Sequence, residues 1–150
     1  MRRARLGDVF TKSIAGRTFT IHFVFEHKVY GSYCRVYKGD KVNADSLIID
    51  NFGISLNQAQ KTGGWSFAGA EDPGSVEFGP ILTFESVYPT VWILIKGDIK
   101  TVLGQSVPEN LRDLPVLGIK GSDVLDHLLV TGENKYSYEK WMEYKTMYGK

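Results

Sequence analysis

Arg17-Thr18-Phe19-Thr20-Ile21-His22-Phe23-Val24-Phe25 decides the fold class. Successive side chains of a strand point to opposite faces, so Arg17, Phe19, Ile21, Phe23 and Phe25 fall on one side and Thr18, Thr20 and His22 on the other. The polar Glu26-His27-Lys28 that follows is short enough for a hairpin loop, and Val29 to Tyr37 is expected as the returning strand. Upstream, Ala15-Gly16 supplies a turn and Arg5 to Phe10 a shorter strand, which gives an N-terminal antiparallel meander.

Outward from this meander, Leu47-Ile48-Ile49 and Ile81 to Val87 are apolar, β-branched strand candidates. Thr90 to Ile95 and Ile99 to Leu103 form a second hairpin across Lys96-Gly97-Asp98. Helical signals are fewer. Pro108-Glu109-Asn110-Leu111 makes a short turn that ends before Pro115, and Ser122 is expected to cap a helix from Asp123 to Leu129. Ser137 caps a last helix through Tyr148, on which Tyr138, Trp141, Met142 and Lys145 share a face, packed across one end of the sheet. We therefore expect a mainly β fold in a single globular domain, 1–150: an antiparallel rolled sheet or small barrel with short helices and a C-terminal helix. Phe19, Ile21, Phe23, Val91, Ile93 and Ile95 are its expected core.

Composition narrows the function classes. The 150 residues are 43% hydrophobic, enough to build a core without disulfides or a structural metal. Eighteen Lys and Arg against seventeen Asp and Glu leave a formal charge of +1, so no long-range field draws the chain toward a polyanion or an anionic membrane. The lone Cys34 cannot form an internal disulfide, which fits a reducing compartment. Arg2, Arg3 and Arg5 are followed by Leu6-Gly7-Asp8 where a signal peptide would need an apolar stretch, so a cytoplasmic location is expected. The apolar run Val91 to Ile95 is far too short to span a bilayer.

Between Gly53 and Gly79 the period is lost, and Gly, Ser, Asn and Gln dominate, as in Thr62-Gly63-Gly64-Trp65 and Ala68-Gly69-Ala70-Glu71-Asp72-Pro73-Gly74. A loop of this length in a small domain is more often functional than idle, and a short strand hidden inside it is the alternative. No catalytic group stands out. Cys34 lies on a strand next to the one carrying His22, yet a single cysteine in a sheet is usually a small core hydrophobe. His22, His27 and His127 fall in no metal-ligand spacing, and a hydrogen-bonded or solvated structural role suits them better. Glu71-Asp72, Glu77 and Glu85 fall close together in sequence, but Glu85 would need burial to serve as the acid of a catalytic pair. Thr62-Gly63-Gly64-Trp65 lacks the Gly-Lys-Ser/Thr ending of a phosphate loop. We expect no catalytic residue, no metal and no cofactor.

Nucleic acid is a separate question, because Phe25, Tyr30, Tyr33 and Tyr37 lie beside Lys28, Arg35 and Lys38, a mixture suited to stacking and phosphate contact. Against it, Tyr33, Arg35 and Tyr37 share one face while Tyr30 takes the other, and no RNA-recognition or cold-shock motif is present. Aromatics in a sheet protein mostly build core.

Leu6-Gly7-Asp8-Val9-Phe10, then a turn with Gly16, then a long strand and hairpin, resembles the opening of the immunity protein 26 family of polymorphic-toxin immunity proteins. Leu103-Gly104, then Val107-Pro108-Glu109-Asn110-Leu111, then Leu114-Pro115 is similar to the same family's Gly, Pro-x-x-Leu, Leu-Pro segment. The two stretches cover about a third of the chain, and the resemblance does not extend to the residues between Gly53 and Gly79. The resemblance implies a cytoplasmic protein that binds and blocks a cognate toxin without chemistry of its own. Such an inhibitor needs a rigid scaffold and a few exposed anchors, for which Trp65, Phe67, Glu71 and Asp72 are the candidates. Trp65 has a second reading, as a lid folded back over the barrel end. Two other classes stay open: a nucleic-acid- or glycan-binding β-module, and a small enzyme whose site assembles only in three dimensions.

Overall fold

The computed structural model describes residues 3–28, 31–87, 89–133 and 137–148. The chain divides into two compact units: Met1–Val76 with Gly118–Glu133, and Glu77–Leu117 with Asn134–Lys150. The fold is mainly β, as expected, with a C-terminal helix, but its strands lie in two open antiparallel sheets and neither closes into a barrel.

In the first unit, β1 (Asp8–Ile14), β2 (Arg17–His27), β3 (Gly31–Lys38), β4 (Leu47–Gly53) and β5 (Ser66–Ala70) form one sheet in the order β4-β3-β2-β1-β5. The meander is the expected one with shifted ends. β1 begins at Asp8 because the chain turns at Gly7, whose φ of +94° only glycine adopts without cost. β3 runs to Lys38, and Val29 and Tyr30 of the expected strand lie outside the described residues. The Ala15-Gly16 turn has positive φ at both positions, the geometry that matches strand twist in a two-residue hairpin loop.

β2 is buried on both faces from Phe19 to Val24. Phe19, Ile21 and Phe23 enter the main core with Phe10, Val36 and Phe52, each worth roughly 1.5–3 kcal/mol of apolar burial. The polar positions are buried because each has a partner: the Thr20 hydroxyl donates to Gly39 O at 2.7 Å, and His22 meets Glu71 O. A register shift between Phe23 and Phe25 buries Val24 and leaves Phe25 half-buried, so Phe25 departs from the expected stripe.

The 53–79 segment is not one loop. It holds a helix, α1 (Leu56–Lys61), capped by Ser55, and the edge strand β5, which pairs with β1. The next helix, α2 (Ser122–Thr131), buries Val124 and Leu125 in the same core. Its cap is Gly121 and not Ser122: the Ser122 N–H donates to the Gln58 side-chain oxygen at 2.9 Å, so α1 satisfies the start of α2.

In the second unit, β6 (Ile81–Val87), β7 (Thr90–Lys96) and β8 (Ile99–Gly104) form the second sheet, with Gly97-Asp98 as the turn of the expected hairpin. Ile93 and Ile95 are buried as expected, whereas Val91 is half-buried, because it sits where the ladder to β6 slips between Phe84 and Val87. Phe84 and Trp92 are cross-strand partners and therefore share a face. The last helix, α3 (Tyr138–Tyr148), covers that face and not one end of the sheet: Trp141 stacks on Phe84 and Tyr138 meets Trp92 edge-on. Ser137 caps it, its hydroxyl accepting the Lys140 N–H at 3.2 Å. Tyr138, Trp141 and Met142 face the sheet together, and the Lys145 side chain lies outside the described residues.

Candidate interaction surface

The four anchors that sequence singles out separate into a buried one and three exposed ones. Trp65 is only 2% exposed. It enters the first core between α1 and β5, its backbone N–H bonds to Ala59 O at 3.1 Å, and its indole N–H donates to Asp126 on α2 at 3.2 Å. With no barrel end to cover, Trp65 is instead a core residue of the first unit, its surface spent on folding and not offered to a partner.

Phe67 follows it on β5 and is 42% exposed. It lies opposite Phe10 in the ladder and meets that buried ring edge-on at 6.0 Å, so one side of Phe67 is held by the core while the other faces solvent. Its neighbours on the strand are Ser66, Ala68, Gly69 and Ala70, too small to hide it. The strand edge itself is blunted by a register shift opposite Val9 and Phe10, with Gly69 at a φ of +141°.

Glu71 and Asp72 come directly after, with exposed side chains on a fixed backbone. The Glu71 N–H donates to Gly7 O at 2.8 Å, and its carbonyl accepts from His22 Nε2 at 2.7 Å, which assigns the ring proton to that nitrogen. Glycine suits this contact, since its φ is +94° and a Cβ there would lie 3.0 Å from Glu71 O, closer than ordinary packing. Asp72 accepts the Gly74 N–H at 2.8 Å and turns the chain. An exposed aromatic and two exposed carboxylates thus follow one another along one edge of the first sheet, on a backbone held by Gly7 and His22.

The groups with chemical potential elsewhere are either built into the packing or scattered on the surface. Cys34 is fully buried on β3 opposite Phe23, and burial pushes its thiol far above the ordinary range, which suppresses the thiolate. Glu77 and Glu85 are exposed. Among the described residues no three His, Cys, Asp or Glu side chains converge as a metal set. Tyr33 and Tyr37 are buried, and Arg35 pairs with Asp50 at 3.1 Å, so these side chains do not present the stacking platform that a nucleic-acid module needs. Among the described residues, no helix is long and apolar enough to cross a membrane.

Lys120 has no signal in the sequence, because it lies outside any periodic segment. It is nearly buried, with its ammonium donating to Gly118 O at 3.0 Å and lying 5.4 Å from the centre of the Phe52 ring. Burial lowers its pKa to about 8.

Comparison with family models, curated proteins and solved structures finds no match to this chain.

Proposed function

We propose that the protein is a non-catalytic protein-binding module whose contact surface is Phe67 with Glu71 and Asp72. The observation that carries this reading is the half-exposed Phe67 ring, followed along the same sheet edge by an exposed acidic pair at Glu71 and Asp72 whose backbone is pinned by Gly7 and His22. Binding a partner there orders little that is not already ordered, and a rigid aromatic with flanking charges is the composition of an interface hot spot. The blunted edge of β5 favours recognition through side chains over addition of a strand.

The acidic pair fits a basic partner patch. In the finer form of the proposal, supported by the resemblance to the immunity protein 26 family, the partner is a bacterial toxin with a basic active-site rim, bound and blocked in the cytoplasm.

The test is capture from the native host with tagged full-length chain, alongside Phe67→Ser and the double variant Glu71→Lys/Asp72→Lys, with mass spectrometry of what is retained. A basic protein held by the native chain and lost by both variants supports the proposal. A partner that both variants keep, or nucleic acid or glycan with no protein, overturns it. Growth of cells making the recovered partner, with and without this protein, tests the toxin-blocking form.

A further inference from the structure

Away from that surface, the core-facing side of the first sheet ends in a pattern that packing alone does not call for. Along β2 this face runs Phe23, Ile21, Phe19 and then Arg17; along β3 it runs Cys34, Val36 and then Lys38. Cross-strand pairing sets Phe23 against Cys34, Ile21 against Val36 and Phe19 against Lys38, so both apolar stripes end in a cation at the same end of the sheet. β4 adds Ile48 and Ile49 beside them, and the last turns of α2 bring Leu128 and Leu129. These residues line a half-open groove of about 400 Å³ with an apolar floor and a cationic rim.

The rim charges are uncompensated. Neither Arg17 nor Lys38 has an ion pair or a side-chain hydrogen bond among the described residues, and no carboxylate lines the groove. The C-terminus of α2 at Gly132 contributes only about half a negative charge, against two whole cations, so the mouth of the groove is net positive. A volume of this size lies within the range of small-molecule sites, mostly apolar with a few placed polar groups. At roughly 30 Å³ for each group the size of a water molecule, it holds about a dozen non-hydrogen atoms.

We propose that this groove binds a medium-chain fatty acid, with the acyl chain on Phe19, Ile49, Leu128 and Leu129 and the carboxylate between Arg17 and Lys38. The guanidinium fork can engage both oxygens of a carboxylate, and the lysine adds a point charge. The floor side chains offer no polar atom, which selects methylenes over a polar tail.

The experiment is a methyl-NMR titration of the full chain with decanoate below its aggregation concentration, with decanol as the uncharged control. Saturable shifts confined to the Ile48, Ile49, Leu128 and Leu129 methyls, at least about tenfold weaker in affinity with decanol, are expected. The double variant Arg17→Glu/Lys38→Glu, at two exposed positions, should lose decanoate binding while keeping its spectrum. Decanol binding as tightly as decanoate, shifts spread over other methyls, or no saturable shift overturns the proposal. The comparison of the two ligands on the native chain needs no variant to fold.

Discussion

The indole N–H of Trp65 donates to one carboxylate oxygen of Asp126, and the Lys12 ammonium takes the other while also donating to Gly63 O at 2.6 Å. One carboxylate thereby joins β1, the segment after α1, and α2. Trp65→Ala empties a core position and leaves Asp126 with a single donor, so it should cost about 3–5 kcal/mol of unfolding free energy in a urea titration. Asp126→Ala keeps the ring but strands the indole N–H, while Lys12 keeps its bond to Gly63 O, so the cost should be about 1–3 kcal/mol. A loss below about 1 kcal/mol for Trp65→Ala would place the ring outside the core.

Lys120 gives the fold a pH signature. Its pKa falls from 10.5 to about 8 on folding because burial penalises the ammonium. Between those values the unfolded chain binds the proton and the folded one has released it, so this group's contribution to stability rises with pH through the window. Below pH 8 the burial cost, roughly 3 kcal/mol, is carried in full. Burial raises Cys34 and Tyr37 instead, and both therefore remove stability once pH exceeds their ordinary values of 9.0 and 10.0. The difference between native chain and Lys120→Met isolates the lysine. The variant should be at its relative best below pH 8, and its advantage should shrink by roughly 3 kcal/mol by pH 10.5. A difference that does not change with pH would show that the ammonium is not desolvated.

Ala15 occupies the left-handed region at φ 51°, in an exposed turn that favours Asn or Gly. Its Cβ is strained there, while an asparagine side chain tolerates the conformation. Ala15→Asn should stabilise the protein by about 0.5–1 kcal/mol, read as a higher urea midpoint with unchanged slope. A lower midpoint would mean that the hairpin turns differently.

What the sequence discloses depends on whether a residue's role is local. The inner stripe Phe19-Ile21-Phe23, the β6 limits Ile81–Val87, the Gly97-Asp98 turn and the Ser137 cap are all written in neighbouring residues, and all are found. The elements inside 53–79 are not. β5 is Ser-Phe-Ala-Gly-Ala, a poor strand former that exists because β1 offers it a ladder more than fifty residues away. α1 spans only six residues, too few to show a helical period. Trp65, Phe67, Glu71 and Asp72 could be named as a group from that segment. Their division into one core residue and three surface residues could not, because Asp126, Phe10 and His22, which decide it, are far away in the chain.

That division yields the sharpest test of the proposed interface. Phe67 keeps nearly half its surface in water, so Phe67→Ser should lower stability by only about 1 kcal/mol, while a hot-spot aromatic lost from an interface weakens binding by about 2 kcal/mol or more. Trp65→Ala should do the reverse, with binding retained in whatever fraction stays folded. The acidic pair should act mainly on approach. With a net charge of only +1, the attraction of Glu71 and Asp72 for a basic patch is local and screened beyond about 10 Å in 0.1 M salt. Glu71→Lys/Asp72→Lys should therefore slow association several-fold at low salt, and the gap from the native chain should close as salt is raised, with dissociation changed less. Stopped-flow association rates at two ionic strengths measure this. A defect of equal size at both would mean that the two carboxylates do not steer the encounter, and Phe67 would then stand alone as the anchor.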